Sequence, residues 1–248
     1  MTTFADVHSR PFLLPNAWDF ASAAAFAARG YPAVGTTSLG VAAAAGIPDG
    51  EGLAREETLA LARRLVRLPC MVTVDIETGF SDDPAEVAAL TRELAGIGVV
   101  GVNIEDGLGE TGHRSEIIAA AKTSGLFVNA RTDTHWLKPH STLTEALERV
   151  RSYVDAGADC VFIPGLSDEN DIAAAVGAVD VPLNVLYLLG GPSFQRLAEL
   201  GVRRVSCGSF LYRAALSAAI DAAGTIAGGG AVTGEIISYA QTQALSGS

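Results

Sequence analysis

The sequence predicts a parallel (β/α)₈ barrel, and three features of the chain lead to that fold class. Short apolar runs rich in β-branched residues alternate with longer amphipathic stretches rich in alanine and leucine. Glycine, proline or aspartate marks most of the joins between them. Eight such units succeed one another within 248 residues, a length that a barrel of this kind fills as one domain.

Each unit supplies a strand followed by a helix. The predicted strands are 12–18, 33–38, 71–77, 101–106, 127–133, 160–165, 182–187 and 203–208. The predicted helices are 19–29, 53–67, 84–96, 114–124, 142–156, 168–177, 192–200 and 209–223. Pro84 comes after two aspartates at the start of one helix, and Gly98, Gly157 and Gly201 each end a helix before a buried strand.

A doubly wound open sheet is the main alternative to the barrel. The glycine-rich fingerprint that usually comes after the first strand of such a sheet is missing from this sequence. No linker divides the chain, so residues 1–248 are predicted to form a single domain. Three consecutive glycines, Gly228 to Gly230, separate the last barrel helix from the C-terminal stretch. We therefore expect 228–248 to form a C-terminal arm or helix.

The charge and hydropathy of the chain exclude two classes of partner. A net charge of −11 argues against nucleic acid, which requires a concentrated basic surface. The apolar runs are short and interrupted, so none is expected to cross a membrane. The N-terminus lacks the basic start and apolar stretch of a signal peptide, and the expected compartment is the cytoplasm. The three cysteines show no metal spacing and are expected to be buried, reduced thiols.

Charged side chains interrupt the apolar strands near their C-terminal ends. Asp75 and Glu77 are two residues apart, so the period of a strand places them on the same face. Glu105 lies on the next strand and Arg131 on the one after it. Barrel active sites are built at this end, where the three carboxylates would repel one another unless a cation lies among them. The oxygen ligands fit Mg²⁺, and Arg131 would bind a substrate carboxylate or phosphoryl group.

Other polar and aromatic residues near these strand ends have competing interpretations. Helix capping or pairing with surface arginines explains four acids at least as well as function does: Asp82, Asp83, Asp106 and Asp133. His113 is either a lid residue that donates a proton in the pocket or a loop histidine near a helix start. His135 is expected to cover the rim of the barrel. Trp18 either walls the pocket or fills the core.

The same residues resemble signatures of the isocitrate lyase/phosphoenolpyruvate mutase superfamily. The metal-binding D-x-D/E-x-G-Y/F signature of that family is similar to Asp75-Ile76-Glu77-Thr78-Gly79-Phe80. Further signatures are matched, in the same order along nearly the whole chain, by Pro15-Asn16-Ala17-Trp18-Asp19, Gly35-Thr36-Thr37-Ser38-Leu39, Gly46-Ile47-Pro48-Asp49-Gly50-Glu51, Asn103-Ile104-Glu105-Asp106, Asn129-Ala130-Arg131-Thr132-Asp133, Pro182-Leu183-Asn184-Val185 and Arg204-Val205-Ser206-Cys207-Gly208. The extent of the match makes it more specific than any one motif.

The resemblance implies a (β/α)₈ barrel that is a homo-oligomer, a tetramer or dimer, with its last helix often exchanged between subunits. It implies that Asp75 ligates Mg²⁺ directly, with Mn²⁺ as a substitute. Asp49, Glu77 and Glu105 would hold the ion mainly through waters.

The resemblance also implies a small anionic substrate, a 2-oxo-carboxylate or an enolpyruvate. The substrate carboxylate would bind the backbone around Thr37, Ser38 and Leu39, with Arg131 near its other end. Trp18 and Asn184 are the remaining expected substrate contacts, and Arg131 and His113 are the expected catalytic residues.

The sequence departs from the superfamily pattern in the loop after the fourth strand. The lyases carry a K-K/R-C-G-H motif there, whose cysteine is a general acid/base, whereas Thr111 stands at that point here. Because a threonine hydroxyl does not ionise near neutral pH, we do not expect cleavage of isocitrate or methylisocitrate by that route. The mutase gating loop has no match either, and Ile163-Pro164-Gly165 occupies the region of the mutase histidine.

The sequence thus predicts a Mg²⁺-dependent enzyme that cleaves a C–C bond of a small 2-oxo-carboxylate such as oxaloacetate. Decarboxylation and hydrolytic (retro-Claisen) cleavage both fit, each through an enolate. Two alternatives stay open. One is an enzyme of P–C chemistry, either a mutase that interconverts phosphoenolpyruvate and phosphonopyruvate or a hydrolase that cleaves the P–C bond of phosphonopyruvate. The other is a protein that binds 2-oxo acids without turnover.

Overall fold

The computed structural model describes residues 2–138 and 140–247. The strands in these residues are β1 (Phe12–Leu14), β2 (Asn16–Ala17), β3 (Ala33–Thr36), β4 (Met71–Asp75), β5 (Gly101–Glu105), β6 (Phe127–Arg131), β7 (Cys160–Phe162), β8 (Leu183–Leu186) and β9 (Arg204–Ser206). They form one parallel sheet in the order β1-β9-β8-β7-β6-β5-β4-β3-β2. The predicted (β/α)₈ barrel is therefore confirmed.

The first strand closes the barrel in two pieces. The sequence predicts one strand over 12–18, but β1 ends before Pro15 and β2 begins after it. Proline has no N–H to donate to a ladder, so the strand is interrupted at that residue. Phe12 in β1 pairs with Arg204 in β9, while Asn16 in β2 pairs with Gly35 in β3. The two halves of one strand thus join the last strand of the barrel to the second.

The helices are α1 (Phe4–Val7), α2 (Phe20–Ala28), α3 (Ser38–Ala45), α4 (Arg55–Leu65), α5 (Pro84–Gly96), α6 (Thr111–Lys122), α7 (Thr134–Leu137), α8 (Leu143–Asp155), α9 (Glu169–Gly177), α10 (Phe194–Glu199), α11 (Phe210–Ala227) and α12 (Tyr239–Ala244). All eight predicted helices are present. The largest difference at an N-terminus is in α6, where the Glu110 carboxylate accepts hydrogen bonds from two backbone N–H groups, Gly112 at 2.8 Å and His113 at 2.6 Å. This cap starts the helix at Thr111 instead of residue 114.

Aliphatic side chains between the strands and the surrounding helices form the main core, among them Leu59, Ile76, Leu94, Ile117 and Ile172. A smaller cluster contains Phe4 and Val7 of α1 together with Phe12 at the start of β1. The ring of His8 stacks on Phe127, the first residue of β6, with 4.3 Å between centroids. Helix α1 therefore covers the amino-terminal end of the barrel, opposite the end where the charged residues lie.

His8 is expected to make the stability of the fold depend on acid pH. Its side chain is 3% exposed, and its ring Nδ1 donates to the Phe4 carbonyl oxygen at 2.9 Å. Burial, assisted by the positive charge of Arg204, lowers the pKa of His8 to about 4, from 6.5 in the unfolded chain. Because the folded state disfavours the proton, this stability is complete above pH 6.5 and is lost as the pH falls towards 4. The loss is at most roughly 3 kcal/mol.

Urea unfolding at pH 7 and at pH 4.5 would measure this loss. The His8→Leu variant should lose less stability on acidification than the wild-type protein, because leucine takes up no proton. His113→Leu is the matched control, since that histidine lies in a half-exposed position. Equal acid sensitivity of wild type and His8→Leu would show that His8 does not stay neutral in the folded protein.

Helix α11 extends from the last strand without burying any of its residues. Its exposed apolar side chains are Leu216, Ile220 and Ile226. After the glycine run, the 3₁₀ turn Leu245–Gly247 contacts α2. Exchange of the last helix between subunits stays a prediction, as does the homo-oligomer. Among the described residues, no helix combines the length and apolarity needed to span a membrane.

Candidate active site

The charged strand ends surround a cavity of about 590 Å³. It opens at the carboxyl ends of the barrel strands, where parallel barrels hold their catalytic residues. Asp75, Glu105 and Arg131, which end β4, β5 and β6, all line it. The fold thus brings together three of the residues that the strand pattern singled out.

Asp75 is held in place by its neighbours on both sides. Its carboxylate accepts hydrogen bonds from the Asn103 side-chain amide at 3.3 Å and from the Glu77 backbone N–H at 3.2 Å. Its own N–H donates to the Thr36 hydroxyl at 2.8 Å. Burial raises the pKa of Asp75, and this effect outweighs the opposing attraction of Arg131. An ionised Asp75 at this position therefore needs further positive charge nearby.

Glu77 lies beside this carboxylate but behind the cavity wall. The sequence predicts a strand that extends to Glu77. In the structure β4 ends at Asp75, and Glu77 has a left-handed backbone with a φ of 51°. Its side chain is 1% exposed, and it accepts a hydrogen bond from the Gly52 N–H at 2.9 Å. The other carboxylate oxygen, Oε1, is buried without a partner. Burial raises the pKa of Glu77, and Asp75 and Asp49 raise it further.

Glu105, Arg131 and Asp133 form one ion-paired group. The Arg131 guanidinium lies 2.7 Å from Glu105 Oε2 and 2.5 Å from Asp133 Oδ1. Burial raises the pKa of Glu105 to about 8 although Arg131 opposes it, with Asp75 and Asp133 adding to the rise. Arg131 is thus engaged by two acids, and one arginine does not neutralise the whole cluster.

The start of α3 faces the same cavity. Thr37, Ser38 and Leu39 line it, and so does Asp49 on the exposed loop after the helix. No side chain caps the first N–H groups of α3, although Thr37 occupies the N-cap position. An uncapped helix N-terminus binds anions through these N–H groups and the helix dipole.

The acidic residues fit a divalent cation. Asp75, Glu77 and Glu105 are all largely removed from water, the pKa of each is raised, and one oxygen of Glu77 has no partner. A set of oxygen ligands with this surplus of negative charge suits Mg²⁺. Within residues 2–138 and 140–247, no three His, Cys, Asp or Glu side chains converge closely enough to ligate an ion together. The arrangement therefore fits an ion held by few direct ligands, with waters linking it to the other acids.

Besides Glu77, three predicted site residues do not line the cavity: His113, Trp18 and Asn184. His113 is in the first turn of α6, with a 39% exposed side chain 3.6 Å from Glu116, and it does not line the cavity. Trp18 packs on Tyr212 of α11, with 5.4 Å between ring centroids, and also falls outside the lining. Asn184 is completely buried and accepts a hydrogen bond from Ser206, a lining residue.

Three arginines in the cavity wall, Arg114, Arg204 and the exposed Arg213, are additions to the predicted site. Arg114, next to His113, pairs with Asp82 at 3.0 Å, and its Nε and Nη1 are buried without partners. The position of Arg114 in the first turn of the helix that follows β5 was a usable signal, since that turn lies near the carboxyl end of the barrel. Arg204 lies inside the barrel on β9 and lines the same cavity.

Asp106 and Asp133 prove not to be helix caps. Asp133 occupies the N-cap position of α7 without capping it, and instead pairs with Arg131. The Asp106 carboxylate accepts from the Arg149 guanidinium at 2.7 Å and the Tyr153 hydroxyl at 2.8 Å. Both acids hold the loops at the carboxyl end of the barrel.

Known proteins share both sequence and fold with this chain. The family model for phosphoenolpyruvate phosphomutase matches residues 4–227. An uncharacterised protein of Mycobacterium tuberculosis is 42% identical, over 98% of this chain and 95% of its own. The oxaloacetate decarboxylase of Chromohalobacter salexigens is 30% identical, over 64% of this chain and 59% of its own.

Solved structures share the fold over most of the chain. A protein of Burkholderia cenocepacia J2315 superposes with a TM-score of 0.88 at 35% identity, covering 99% of this chain and 95% of its own. Oxaloacetate acetylhydrolase in complex with oxalate gives 0.85 at 22% identity, covering 96% and 89%. Phosphonopyruvate hydrolase in complex with oxalate and Mg²⁺ gives 0.84 at 22% identity, covering 98% and 93%. At 22% identity, the similarity to these last two structures shows a shared fold only.

Proposed function

This chain belongs to the phosphoenolpyruvate phosphomutase family, within the isocitrate lyase/phosphoenolpyruvate mutase superfamily, and on that premise we propose that it is a Mg²⁺-dependent enzyme that cleaves a C–C bond of a small 2-oxo-carboxylate such as oxaloacetate. One observation supports this most directly. The half-buried carboxylate of Asp75 and the uncapped start of α3 face the same cavity. A cation site beside an anion site suits a substrate with adjacent oxo and carboxylate groups.

The proposed binding mode uses each of these groups. The first N–H groups of α3, from Ser38 onward, would hold the substrate carboxylate. Asp75 would ligate Mg²⁺ directly, with Glu77, Glu105 and Asp49 holding it through waters. When bound, the ion would supply Lewis-acid polarisation of the 2-oxo group. Arg131, fixed by Glu105 and Asp133, would place a guanidinium at the cavity wall without free movement.

The altered loop favours decarboxylation over the reaction of the superfamily lyases. Thr111 is the first residue of α6, so the segment between β5 and this helix is only 106–110. No thiol is present there to act as an acid or base. Loss of CO₂ from oxaloacetate breaks the bond between C3 and C4 and leaves the electron pair as an enolate. One proton then completes the reaction, and water entering the open cavity can deliver it.

A second candidate, cleavage of a P–C bond, is favoured by the family model itself, which describes a phosphomutase. The cavity also has four arginines in its lining, Arg114, Arg131, Arg204 and Arg213, which suits a phosphoryl group. In this candidate the same cation and anion sites would hold the 2-oxo acid portion of phosphonopyruvate.

A substrate panel would separate these candidates. We expect release of pyruvate and CO₂ from oxaloacetate well above the rate that Mg²⁺ gives without the protein, abolished by EDTA and restored by Mg²⁺ or Mn²⁺. Release of oxalate and acetate would indicate hydrolytic cleavage instead. Release of phosphate from phosphonopyruvate, or its interconversion with phosphoenolpyruvate, would favour the second candidate. Binding of these acids without any product would contradict an enzyme and leave a binding protein.

A further inference from the structure

Arg204 lies inside the barrel, and its side chain runs towards the end where the cavity opens. It is 2% exposed, and its Nε donates to the Ser206 hydroxyl at 3.2 Å. Ser206 is two residues further along β9, on the same face and nearer the carboxyl end. Both residues line the cavity. The guanidinium therefore forms part of the inner wall of the candidate site.

Arg204 differs from Arg114, Arg131 and Arg149 at this end of the barrel because it forms no salt bridge, and it differs from Arg213, the remaining arginine of the lining, because Arg213 is exposed. Arg114 pairs with Asp82, and Arg149 pairs with Asp106. Arg131 pairs with both Glu105 and Asp133. No carboxylate in the described part of the chain forms a salt bridge with Arg204, and its Nη1 is buried without a hydrogen-bond partner. Burial lowers the pKa of Arg204 to about 10 and outweighs the opposing charge of Asp75, so an anion supplied from outside would stabilise the guanidinium.

Two other buried polar groups, on Asn184 and Thr73, also lack a hydrogen-bond partner. Asn184 is fully buried and uses its Oδ1 to accept from Ser206 at 3.1 Å, which leaves its amide Nδ2 without a partner. The Thr73 hydroxyl lines the cavity and is likewise unpartnered. Three unpaired groups that can donate, on Arg204, Asn184 and Thr73, thus lie in or beside the inner part of the cavity.

We propose that Arg204, with the Asn184 amide, binds a second anionic group of the substrate, so that the site selects dianionic over monoanionic 2-oxo acids. This inference rests on the proposed function, which places the first carboxylate and the oxo group near α3 and Asp75. The distal group, a carboxylate or a phosphonate, would point towards β8 and β9. Arg131 pairs with Glu105 and Asp133, whereas Arg204 forms no salt bridge, which is why the inference adds Arg204 to the expected contact with Arg131.

Ligand-induced thermal shifts would test the inference, read at oxaloacetate concentrations high enough that turnover by the wild type consumes little of it during the scan. Oxaloacetate and 2-oxobutyrate share the 2-oxo-carboxylate and differ in a distal carboxylate against a methyl group. With Mg²⁺ present, wild type should bind oxaloacetate about 10- to 100-fold more tightly, as expected for hydrogen bonds to a charged group. Arg204→Met should reduce this ratio to about threefold or less. Arg204→Lys, which keeps the charge but loses the planar fork, should give an intermediate ratio.

Arg203→Met is the matched control, since it removes the same charge from the adjacent, half-buried residue that does not line the cavity. It should retain the wild-type ratio. Succinate without Mg²⁺ separates this inference from the proposed function, because it offers carboxylates but no oxo group. If neither 2-oxo acid binds, the proposed function fails, and stabilisation by succinate that disappears in Arg204→Met would still support an anion site. An undiminished preference in Arg204→Met, or no Arg204-dependent effect of any dianion, would overturn the inference.

Discussion

Asp75→Asn should lower kcat by about 1,000-fold or more at saturating Mg²⁺, the largest effect that we expect of any single substitution on activity. The loss corresponds to roughly 4 kcal/mol of transition-state stabilisation, within the range for a metal that polarises a carbonyl group. Asparagine retains an oxygen that accepts from Asn103 and from the Glu77 N–H, so the local structure should persist. What it removes is the negative charge that would bind the cation.

A readout apart from activity would locate the defect at the metal. Wild type should be stabilised against heat by Mg²⁺, and Asp75→Asn should lose that stabilisation while keeping the wild-type fold by circular dichroism. In the absence of metal, the variant should be at least as stable as wild type, because burial raises the pKa of Asp75 and makes its charge unfavourable. Asp180→Asn, an exposed aspartate, is the matched control. Full activity in Asp75→Asn would contradict the assignment of Asp75 as the direct ligand.

The barrel and much of the cavity wall could be predicted from strand periodicity and from the order of the units. Asp75, Glu105 and Arg131 end three neighbouring strands, and parallel strands must bring such residues to one edge. The position of the Glu77 side chain could not be predicted, because the alternation of side chains applies only within the strand, and β4 ends at Asp75. The positive φ at Glu77 turns its side chain away from the cavity and towards Gly52. A left-handed backbone at one residue does not change the pattern of apolar residues, so the sequence does not reveal it.

Arg204 illustrates a different limit of sequence analysis. Two consecutive arginines open the last strand, and the alternation of a strand means that one points inward, but neighbouring residues do not decide which. That choice depends on closure of the barrel, where Arg204 pairs in register with Phe12 and Asn184. The counter-ions of the other arginines are set by contacts between separate elements, so the missing partner of Arg204 becomes visible only in three dimensions.

Asp106 was ambiguous in sequence for a similar reason. An aspartate after a strand and before a helix has the local pattern of a cap. The partners that fix its role, Arg149 and Tyr153, are 43 and 47 residues away on α8. Its carboxylate also accepts from the backbone N–H groups of Leu108 and Asp133, each at 3.0 Å. One side chain thus ties the loop after β5, the end of β6 and helix α8 together.

Asp106→Asn should destabilise the folded protein by about 3–5 kcal/mol, the largest effect on stability that we expect from a single substitution. Burial alone would raise the pKa of Asp106, but the hydrogen bonds from Asp133, Leu108 and Tyr153 and the charge of Arg149 outweigh it and lower the pKa. The folded protein therefore stabilises the ionised carboxylate. Asparagine leaves the Arg149 guanidinium, 14% exposed, without its counter-ion.

Urea unfolding at pH 7 would measure the loss, with Glu169→Gln as the matched control. Glu169 also pairs with an arginine, Arg196, but both side chains are 44–45% exposed, so its loss should change stability little. Arg149→Met should be less harmful in the Asp106→Asn background than in wild type, because the buried charge that lacks a partner is then removed. Additive effects of the two substitutions would mean that the ion pair is not the source of the stability. A coupling of more than about 1 kcal/mol would assign the stability to the contact between Asp106, in the loop after β5, and helix α8.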